Sequence, residues 1–389
     1  MWLKDLLVVD FTRLLPGPYA TLRLADLGAR VIKVEPPGGD PARTLGAEDR
    51  PAGAVFLANN RSKESVMLDL TRIEDRLTAQ ELMARADVII ESFRPDVAKR
   101  LGMSYDEAKR LNSRVVYCSL TGYGQTGALR KLAGHDLNYM AMSGMLSQLT
   151  DREGRPIVPH FQFADHLGAF GAVEAILAAL YRREQTGEGC YLDVSMMDVL
   201  LGMWTTHALT TQFSEDENGL EVLSGNVICY RLYETSDHRF VSLGALERKF
   251  WENFCVAVDH PEWIPAHMTR ATDENPVYCA LRDLFLARDL IYWTTFGTSN
   301  DCCLQPVLTV SEALSSSYAT AKQISYVLAT EAWGDLQQVC TMAGGATVLP
   351  MHRSVAAPPR LDENRLHSDM EFKPLMQERH AKGSEYKRE

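Results

Sequence analysis

The chain has 389 residues, of which 46% are hydrophobic and 23% are charged, a size and composition that favour a globular protein of two domains. Its formal net charge of −11 argues against DNA or RNA as a partner. No apolar run approaches the roughly 20 residues of a membrane span, the N-terminus lacks the layout of a signal peptide, and the eight cysteines follow no metal-binding spacing. We therefore expect a cytoplasmic protein that spans no membrane and holds no metal.

The first 120 residues alternate short apolar runs with helical segments. Strands are predicted at 6–11, 31–34, 66–70, 87–92 and 115–120, and helices at 19–28, 74–86 and 95–110. Nearly continuous apolar strands separated by helices are typical of a parallel sheet that is covered on both faces. This part is therefore predicted to be a doubly wound, Rossmann-like α/β domain.

The second part of the chain changes character after a polar stretch at 214–220. Before it, the pattern predicts a long helix rich in small residues at 165–184, a strand at 191–195 and a helix at 196–212. After it, the pattern predicts an antiparallel hairpin from runs at 227–233 and 239–244, and helices at 247–258 and 276–290. This later part is therefore predicted to be a smaller α+β domain.

These patterns predict four segments. Residues 1–200 form the large α/β domain, 201–224 a linker, and 225–305 the small α+β domain. Residues 306–389 return to the large domain and end in a charged, proline-interrupted tail.

Gly122-Tyr123-Gly124-Gln125-Thr126-Gly127 follows a predicted strand and matches the G-x-G-x-x-G pattern that can hold a dinucleotide pyrophosphate. No helix of the right length follows it, and no acidic residue ends a second strand about 20 residues later. A glycine-rich loop between elements is therefore the favoured interpretation.

Gly134-His135-Asp136-Leu137-Asn138-Tyr139 lies just after this loop and contains a histidine that could accept and return a proton near neutral pH. Alternatively, His135 is structural and bonds a backbone carbonyl. Asp165 begins the long predicted helix, either as an ordinary N-cap or as a catalytic carboxylate near the positive end of the helix dipole. The spacing leaves both alternatives open. If both groups are functional, they could exchange protons on opposite sides of one substrate carbon.

Two further charged residues stand at element ends. Arg94, in Phe93-Arg94-Pro95, follows a predicted strand at the edge where open α/β sheets bind ligands, so it could hold an anionic ligand that carries phosphates, or be ordinary surface charge. Glu247 ends the predicted hairpin, where a charged residue is usually solvated or capping. Four basic residues near neighbouring strand ends could add to the same basic rim: Lys33, Arg43, Arg61 and Lys63.

Several segments together resemble one family, in the same order along the chain. They include Leu14-Leu15-Pro16-Gly17-Pro18-Tyr19-Ala20, Phe93-Arg94-Pro95, the Gly122–Gly127 loop, Gly134-His135-Asp136-Leu137-Asn138-Tyr139 and Gly244-Ala245-Leu246-Glu247. The chain resembles the class III CoA transferases and α-methylacyl-CoA racemases, the CaiB/BaiF type. The Gly-His-Asp-x-Asn-Tyr block is the racemase form, whereas transferases more often have Gly-Phe-Asp there.

The resemblance implies a large Rossmann-like domain and a small domain in an obligate, interlocked homodimer. The ligand would be an acyl-CoA thioester, with coenzyme A as part of the substrate and no separate cofactor. His135 and Asp165 match the acid/base pair of the racemases, and Glu247 matches a glutamate that orients the histidine from the partner subunit. The positions that match coenzyme A contacts are Leu68, Asp69, Leu70, Thr71, Arg94, Gly134, Asp136, Leu137, Asn138 and Tyr139.

Some segments depart from the racemase pattern. Glu35 is followed by Pro36 rather than by arginine, and Asp165 by His166-Leu167-Gly168 rather than by Phe-Gly-Gly. The expected function is racemisation or epimerisation of a 2-methylacyl-CoA thioester. The alternatives are a class III CoA transferase that uses Asp165 as the nucleophile, and a non-enzymatic acyl-CoA-binding role.

Overall fold

A computed structural model describes residues 2–47, 52–151, 153–214, 217–341 and 357–359 of the chain. The chain divides into two compact units. The large unit contains the residues up to Gly202 and those from Thr320 onward, and the small unit contains Met203–Ala319. This division names two units and no linker between them, so the linker predicted at 201–224 remains a prediction.

The large unit is built on a six-stranded sheet in which every strand pair is parallel. Its strands are β1 Leu7–Asp10, β2 Arg30–Glu35, β3 Lys63–Met67, β4 Val88–Glu91, β5 Val116–Thr121 and β6 Cys190–Ser195. Their spatial order, β3-β2-β1-β4-β5-β6, reverses between β1 and β4. In open sheets of this kind ligands bind outside the carboxyl ends of the strands, near such a reversal.

Eight helices of the described large unit lie between these strands in the chain or follow the last strand. They are α1 Pro16–Asp26, α2 Ala54–Asn59, α3 Ile73–Arg85, α4 Val97–Arg100, α5 Tyr105–Leu111, α6 Asp136–Met142, α7 Phe163–Thr186 and α8 Met196–Leu201. The central strands are apolar and fully buried, as Val9, Ile89 and Val116 illustrate. The predicted doubly wound α/β class is therefore confirmed.

Helix α7 is the longest helix of the described residues, and by length and composition alone it could cross a membrane. The sequence pattern had indicated no such segment. In the fold the helix packs against α1 and α8. A Cβ added at Gly168 would lie 2.5 Å from Met196 Cγ, and one at Gly171 would lie 2.7 Å from Val199 Cγ2. Both glycines therefore let α8 approach α7 closely, as in the packed interior of a globular unit.

The small unit contains a three-stranded antiparallel sheet, and its helices come before, between and after the strands in the chain. Its elements are α9 Thr205–Ser214, β7 Tyr230–Glu234, β8 Phe240–Gly244, α10 Arg248–Ala257, α11 Pro276–Leu286, α12 Leu290–Ser299, β9 Leu304–Pro306 and α13 Val310–Ser315, followed by α14 Ser317–Ala321 across the boundary. Its core is aromatic, with Trp251, Phe254, Phe285 and Trp293 buried together. The predicted hairpin is confirmed as β7 and β8, and β9 joins it as an unpredicted third strand.

The chain then forms a second hairpin, β10 Ser325–Thr330 and β11 Gly334–Val339, which the sequence analysis did not predict. Arg61 anchors it, because its guanidinium donates to Gln338 Oε1 and to the carbonyl of Val339. The predicted return of the chain after residue 306 includes this hairpin. Most of the predicted tail lies outside the described residues.

Two predicted helices are each interrupted. The helix expected at 95–110 is two helices, α4 and α5, because Gly102 between them has φ +71°, in the left-handed region. The helix expected at 196–212 is α8 and α9, separated at Gly202. The strand predicted at 66–70 begins earlier, at Lys63.

Charged side chains fill the space below the carboxyl ends of β1, β2 and β3. Lys33 Nζ lies 2.9 Å from Asp40 Oδ2, and Lys63 Nζ lies 3.4 Å from Asp10 Oδ2, with all four side chains fully buried. Arg61 is buried beside Asp26. Lys33, Arg61 and Lys63 therefore do not form the exposed basic rim that the sequence suggested.

Candidate active site

Three of the predicted site segments of the large unit follow the carboxyl ends of strands of its parallel sheet. Residues 68–71 come directly after β3, Arg94 comes after β4, and the glycine loop that leads to His135 comes after β5. Because the strands are parallel, these three segments lie along the same edge of the sheet. The fold therefore places them where a ligand of this architecture binds.

His135 is the N-cap residue of α6, with an extended backbone at φ −125° and ψ 174°. Its backbone N–H donates to Asn138 Oδ1 at 3.0 Å, and its carbonyl accepts from the Asn138 N–H at 2.8 Å. These bonds fix the main chain at the start of the helix. The imidazole is exposed, so it is accessible to a ligand at this edge.

Tyr139 holds the loop before His135 against the end of β5. Its hydroxyl donates to the carbonyl of Gly134 at 2.6 Å. A Cβ added at Gly122 would lie 2.3 Å from the ring of Tyr139, and one at Gly134 would lie 2.8 Å from it. Both glycines are therefore required for the close approach of the ring, which sets the position of the loop that carries His135.

Asp165 is the third residue of α7, and the N-cap is Gln162. The alternative in which Asp165 is an ordinary N-cap is therefore wrong. Its backbone N–H donates to Asp136 Oδ1 at 3.0 Å, which ties the first turn of α7 to the first turn of α6. The structure thus brings together the start of the helix that follows His135 and the start of the helix that carries Asp165.

The two carboxyl groups are harder to ionise than ordinary aspartates. Burial, together with the neighbouring charge of Asp136, raises the pKa of Asp165 to about 7. Burial also raises the pKa of Asp136, although hydrogen bonds from the backbone of Asp165 and Ala164 and the nearby His166 oppose the rise. Asp165 can therefore exchange a proton near neutral pH, which an exposed aspartate does not do.

Arg94 is exposed and lies close enough to Tyr139 for their charges to interact. Burial raises the pKa of Tyr139 to about 12, the neighbouring Tyr123 and Asp165 add to the rise, and the guanidinium of Arg94 opposes it. Among the residues that the structure describes, Arg94 takes part in no ion pair. Its charge is therefore available for an anionic ligand at the edge that also holds Asp165.

The other predicted contact residues form the turn after β3 and the exposed side of α6. Leu68 is buried, Leu70 packs beside the same core, and Asp69 accepts hydrogen bonds from the backbone and hydroxyl of Thr71. Leu137 is exposed on the first turn of α6. The turn is thus rigidly formed, while Leu137 presents an apolar surface.

Glu247 belongs to the small unit, where it is the exposed N-cap residue of α10. Its carbonyl accepts from the backbone N–H groups of Phe250 and Trp251. Within the described residues its exposed side chain makes no capping hydrogen bond, which agrees with the solvated interpretation, and the role toward His135 stays a prediction.

Sequence reasoning missed a buried set of polar residues behind Arg94. Glu91 ends β4, and its carboxylate accepts from Ser119 and from the N–H of Phe93. Burial raises its pKa to about 7, the Asp193 charge adds to the rise, and these hydrogen bonds oppose it. The one available signal was a carboxylate that ends an otherwise apolar strand.

The described residues contain no group of three or more histidine, cysteine or acidic side chains that could hold a metal ion. The stretch between β5 and α6 contains no helix, which agrees with the interpretation of the glycine pattern as a loop.

A family model described as CoA-transferase family III matches residues 3–365. The chain belongs to this family. It is 32% identical over 322 residues to the human alpha-methylacyl-CoA racemase, covering 81% of this chain and 80% of that protein. It is 33% identical over 331 residues to the acetyl-CoA:oxalate CoA-transferase of Acetobacter aceti, covering 82% of this chain and 84% of that protein. This family therefore includes relatives of both activities at the same level of identity.

The solved structures agree with this assignment. The crystal structure of Rv3272 from Mycobacterium tuberculosis superposes with a TM-score of 0.79 at 26% identity and covers 93% of this chain and 97% of that chain. A CaiB/BaiF family protein from Brucella suis gives the same TM-score at 25% identity, covering 93% of this chain and 96% of that chain. The chain is thus a CaiB/BaiF-type enzyme by sequence and by fold.

Proposed function

We propose that this enzyme racemises or epimerises the 2-position of a 2-methylacyl-CoA thioester, with His135 and Asp165 as the two proton-transferring groups. The observation that carries the proposal is the raised pKa of Asp165, about 7, in a first helical turn that is hydrogen-bonded to the turn that follows His135. A carboxyl group that exchanges its proton near neutral pH, together with a histidine, suits a reaction that runs in two directions.

The reaction moves one proton off the α-carbon and one proton onto it. A thioester carbonyl acidifies the neighbouring C–H bond. One of the two groups accepts that proton, and the electron pair of the broken bond enters an enolate whose charge rests on the thioester oxygen. The other group then donates its proton to the opposite face of the carbon. Neutral His135 serves as the base for one enantiomer, and ionised Asp165 serves for the other.

The positive end of the helix dipole of α7 lies at the turn that contains Asp165. Negative charge that develops on a thioester oxygen near this turn would be stabilised by the positive end of the helix dipole. The same end of the helix would favour ionised Asp165, whereas burial and Asp136 disfavour it. The raised pKa is therefore consistent with a carboxyl group that spends time in both protonation states.

A class III CoA transferase is the second candidate, and the acetyl-CoA:oxalate CoA-transferase of Acetobacter aceti as a relative favours it. In that reaction the carboxylate of Asp165 attacks the thioester carbonyl, and the C–S bond breaks to give an aspartyl mixed anhydride and free coenzyme A thiolate. The thiolate then attacks the aspartyl carbonyl, which releases the carboxylic acid and leaves an aspartyl-CoA thioester. His135 has no required role in these steps.

We also propose that the enzyme acts as an interlocked homodimer in the cytoplasm, in which Glu247 of one subunit orients His135 of the other. Apolar side chains on α9 and after it support the dimer, because Leu209, Phe213 and Leu223 are all exposed within the chain. Analytical ultracentrifugation tests it: a monomer at micromolar concentration would contradict the dimer.

Incubation with one enantiomer of a 2-methylacyl-CoA in D2O, without any acceptor acid, separates the two candidate reactions. Racemisation incorporates deuterium at the α-carbon and removes the optical activity. Transfer does neither, and hydroxylamine would then trap an acyl or CoA adduct on Asp165.

His135→Asn tests the role of the imidazole, because asparagine is also a good N-cap and preserves the start of α6. We expect the variant to lose α-proton exchange under the racemase proposal and to retain CoA transfer under the alternative. His238→Asn is the matched control, since His238 is an exposed histidine of the small unit at φ +56°, which asparagine tolerates. Exchange that persists in His135→Asn at the wild-type rate would contradict the racemase mechanism.

A further inference from the structure

Phe93, the residue before Arg94, has its main chain hydrogen-bonded to two side chains. The N–H of Phe93 donates to Glu91 Oε2 at 2.5 Å, and the carbonyl of Phe93 accepts from Gln125 Nε2 at 3.1 Å. The backbone N–H and the carbonyl of Phe93 are thus both bonded to side chains. The ring of Phe93 is also fixed, because it packs beside Phe11 with centroids 6.3 Å apart.

The two side chains that hold Phe93 are themselves anchored. Glu91 is 2% exposed and accepts from Ser119, whose hydroxyl accepts in turn from the Tyr191 hydroxyl at 3.1 Å. The backbone N–H of Gln125 donates to both oxygens of Asp193, at 2.9 and 3.0 Å. The chain of contacts therefore runs from β6 through β5 and β4 to the loop that carries Arg94.

A second link joins the same two loops at the surface. The carboxylate of Asp96, two residues after Arg94, lies 3.6 Å from Arg130 and 3.4 Å from Lys131. These two cations follow the Gly122–Gly127 loop and precede His135 in the chain. These exposed pairs stabilise the loops little by themselves. They link the loop of Arg94 to two further cations, whereas Arg94 itself has no ion-pair partner among the described residues. The edge is therefore suited to a polyanion.

We propose that Glu91 and Gln125 are positioning residues that hold the main chain of Phe93 and thereby place the guanidinium of Arg94 against the phosphate groups of coenzyme A. This proposal deepens the proposed function, because it rests on coenzyme A as the leaving or carrier group of the substrate. It concerns the nucleotide end of the ligand and is independent of the choice between racemase and transferase.

Titration calorimetry with coenzyme A, and separately with pantetheine, tests the proposal. Pantetheine contains the thiol end of the ligand without the phosphates. We expect Gln125→Ala to weaken coenzyme A binding by about threefold to tenfold, the value of one hydrogen bond, and to change pantetheine binding by less than about twofold. A variant that only loosens the fold would weaken both ligands alike.

A double-mutant cycle shows whether Gln125 acts through Arg94. Arg94→Gln alone should weaken coenzyme A binding by about tenfold or more, because it removes a charge-assisted contact. Gln125→Ala should then have no further effect in the Arg94→Gln background. Additive effects of the two substitutions would overturn the positioning role.

Glu91 is tested by a pair of variants. Glu91→Gln retains an oxygen that accepts from the N–H of Phe93 and should bind coenzyme A nearly as the wild type does, whereas Glu91→Leu removes the acceptor and should weaken binding. If Glu91→Leu does not fold, the Gln125 and Arg94 variants still decide the question.

The control is Gln80→Ala, because Gln80 Nε2 also donates to a backbone carbonyl, that of Gly102, at 3.3 Å. This bond joins α3 to the turn between α4 and α5 and does not involve Phe93. It should leave coenzyme A binding unchanged. Unchanged binding in Gln125→Ala as well would overturn this proposal while leaving the proposed function intact. A wild-type protein that binds no coenzyme A would overturn both.

Discussion

Asp10 is a fully buried aspartate and Asp165 a partly buried one of the same unit, and their pKa values shift in opposite directions. Burial alone would raise both. At Asp10 the ammonium groups of Lys33 and Lys63 and the hydroxyls of Thr12 and Thr21 outweigh burial and lower the pKa. At Asp165 no cation or hydroxyl of the described residues does so, and the neighbouring Asp136 adds to the rise, so the pKa reaches about 7.

The difference follows from the partners of the two carboxyl groups, because Asp10 is the more deeply buried of the two and yet has the lowered pKa. Asp10 accepts from the hydroxyls of both threonines at 2.5 Å and pairs with Lys63, so its negative charge is stabilised by partners within the protein. The carboxyl group of Asp165 has no such set of donors, although its backbone N–H is bonded to Asp136. A buried carboxyl group whose partners are missing is the kind that a substrate can complete.

Asp165→Asn should have the largest effect on catalysis. We expect α-deuterium exchange to fall by about 100-fold to 10,000-fold, because the amide neither accepts nor donates the proton. The protein should stay folded, since asparagine has the same shape and carries no buried charge. Circular dichroism and exchange measured by mass spectrometry check both parts, and wild-type exchange would be incompatible with the role of Asp165.

Asp10→Asn should have the opposite profile, with a loss of stability and no specific loss of chemistry. We expect about 3 kcal/mol less unfolding free energy in urea, because the buried ammonium group of Lys63 loses its paired carboxylate. Burial lowers the pKa of Lys63 to about 7, so the loss of its proton can relieve part of this cost.

Glu64→Gln is the control for that measurement, because it breaks the exposed pair between Arg30 of β2 and Glu64 of β3. It should cost less than about 1 kcal/mol. Equal costs for Asp10→Asn and Glu64→Gln would show that the buried cluster contributes nothing beyond a surface pair.

The pH dependence of the reaction should differ between the two enantiomers. Where Asp165 is the base, kcat/KM should rise as the pH passes through about 7, since the ionised carboxylate is needed. Where Asp165 is the acid, kcat/KM should fall over the same range. Asp136→Asn removes the neighbouring charge, so both midpoints should move to lower pH. Midpoints that stay in place would remove Asp136 from the account.

The last prediction concerns the pH dependence of stability. Because the pKa of Asp165 is raised from 3.8 to about 7 on folding, its contribution to stability is full below pH 3.8 and is lost as the pH rises toward 7. Asp165→Asn lacks this term. The unfolding free energy of the variant minus that of the wild type should therefore increase between those pH values, and a flat difference would contradict the assigned pKa.

Sequence reasoning predicted the large sheet well because its central strands β1 and β4 are mainly apolar, buried runs that are each followed by a helix. It failed where the local signal was weak. The residues of β10 and β11 are largely exposed, so their pattern does not indicate a strand, and β9 has only three residues. The single helix expected at 95–110 hid a break at Gly102, since a lone glycine in a helical pattern does not reveal its φ.

The candidate site shows the same limit. His135, Asp165 and Arg94 could be selected from the sequence because they stand at element ends in motifs that resemble a family. Glu91 and Gln125 could not be selected, because their importance lies in contacts with Phe93 that cross from one strand end to the next.

The sequence by itself determined the class of fold, the edge of the sheet at which a ligand would bind, and the residue types at that edge. Only the tertiary structure decided which charges remain available there. It buried Lys33 and Lys63 against carboxylates, and it left Asp165 beside another acid with a pKa near neutral. The physical reason is that the ionisation of a group depends on what surrounds it in space, and neighbours in space come from distant parts of the chain.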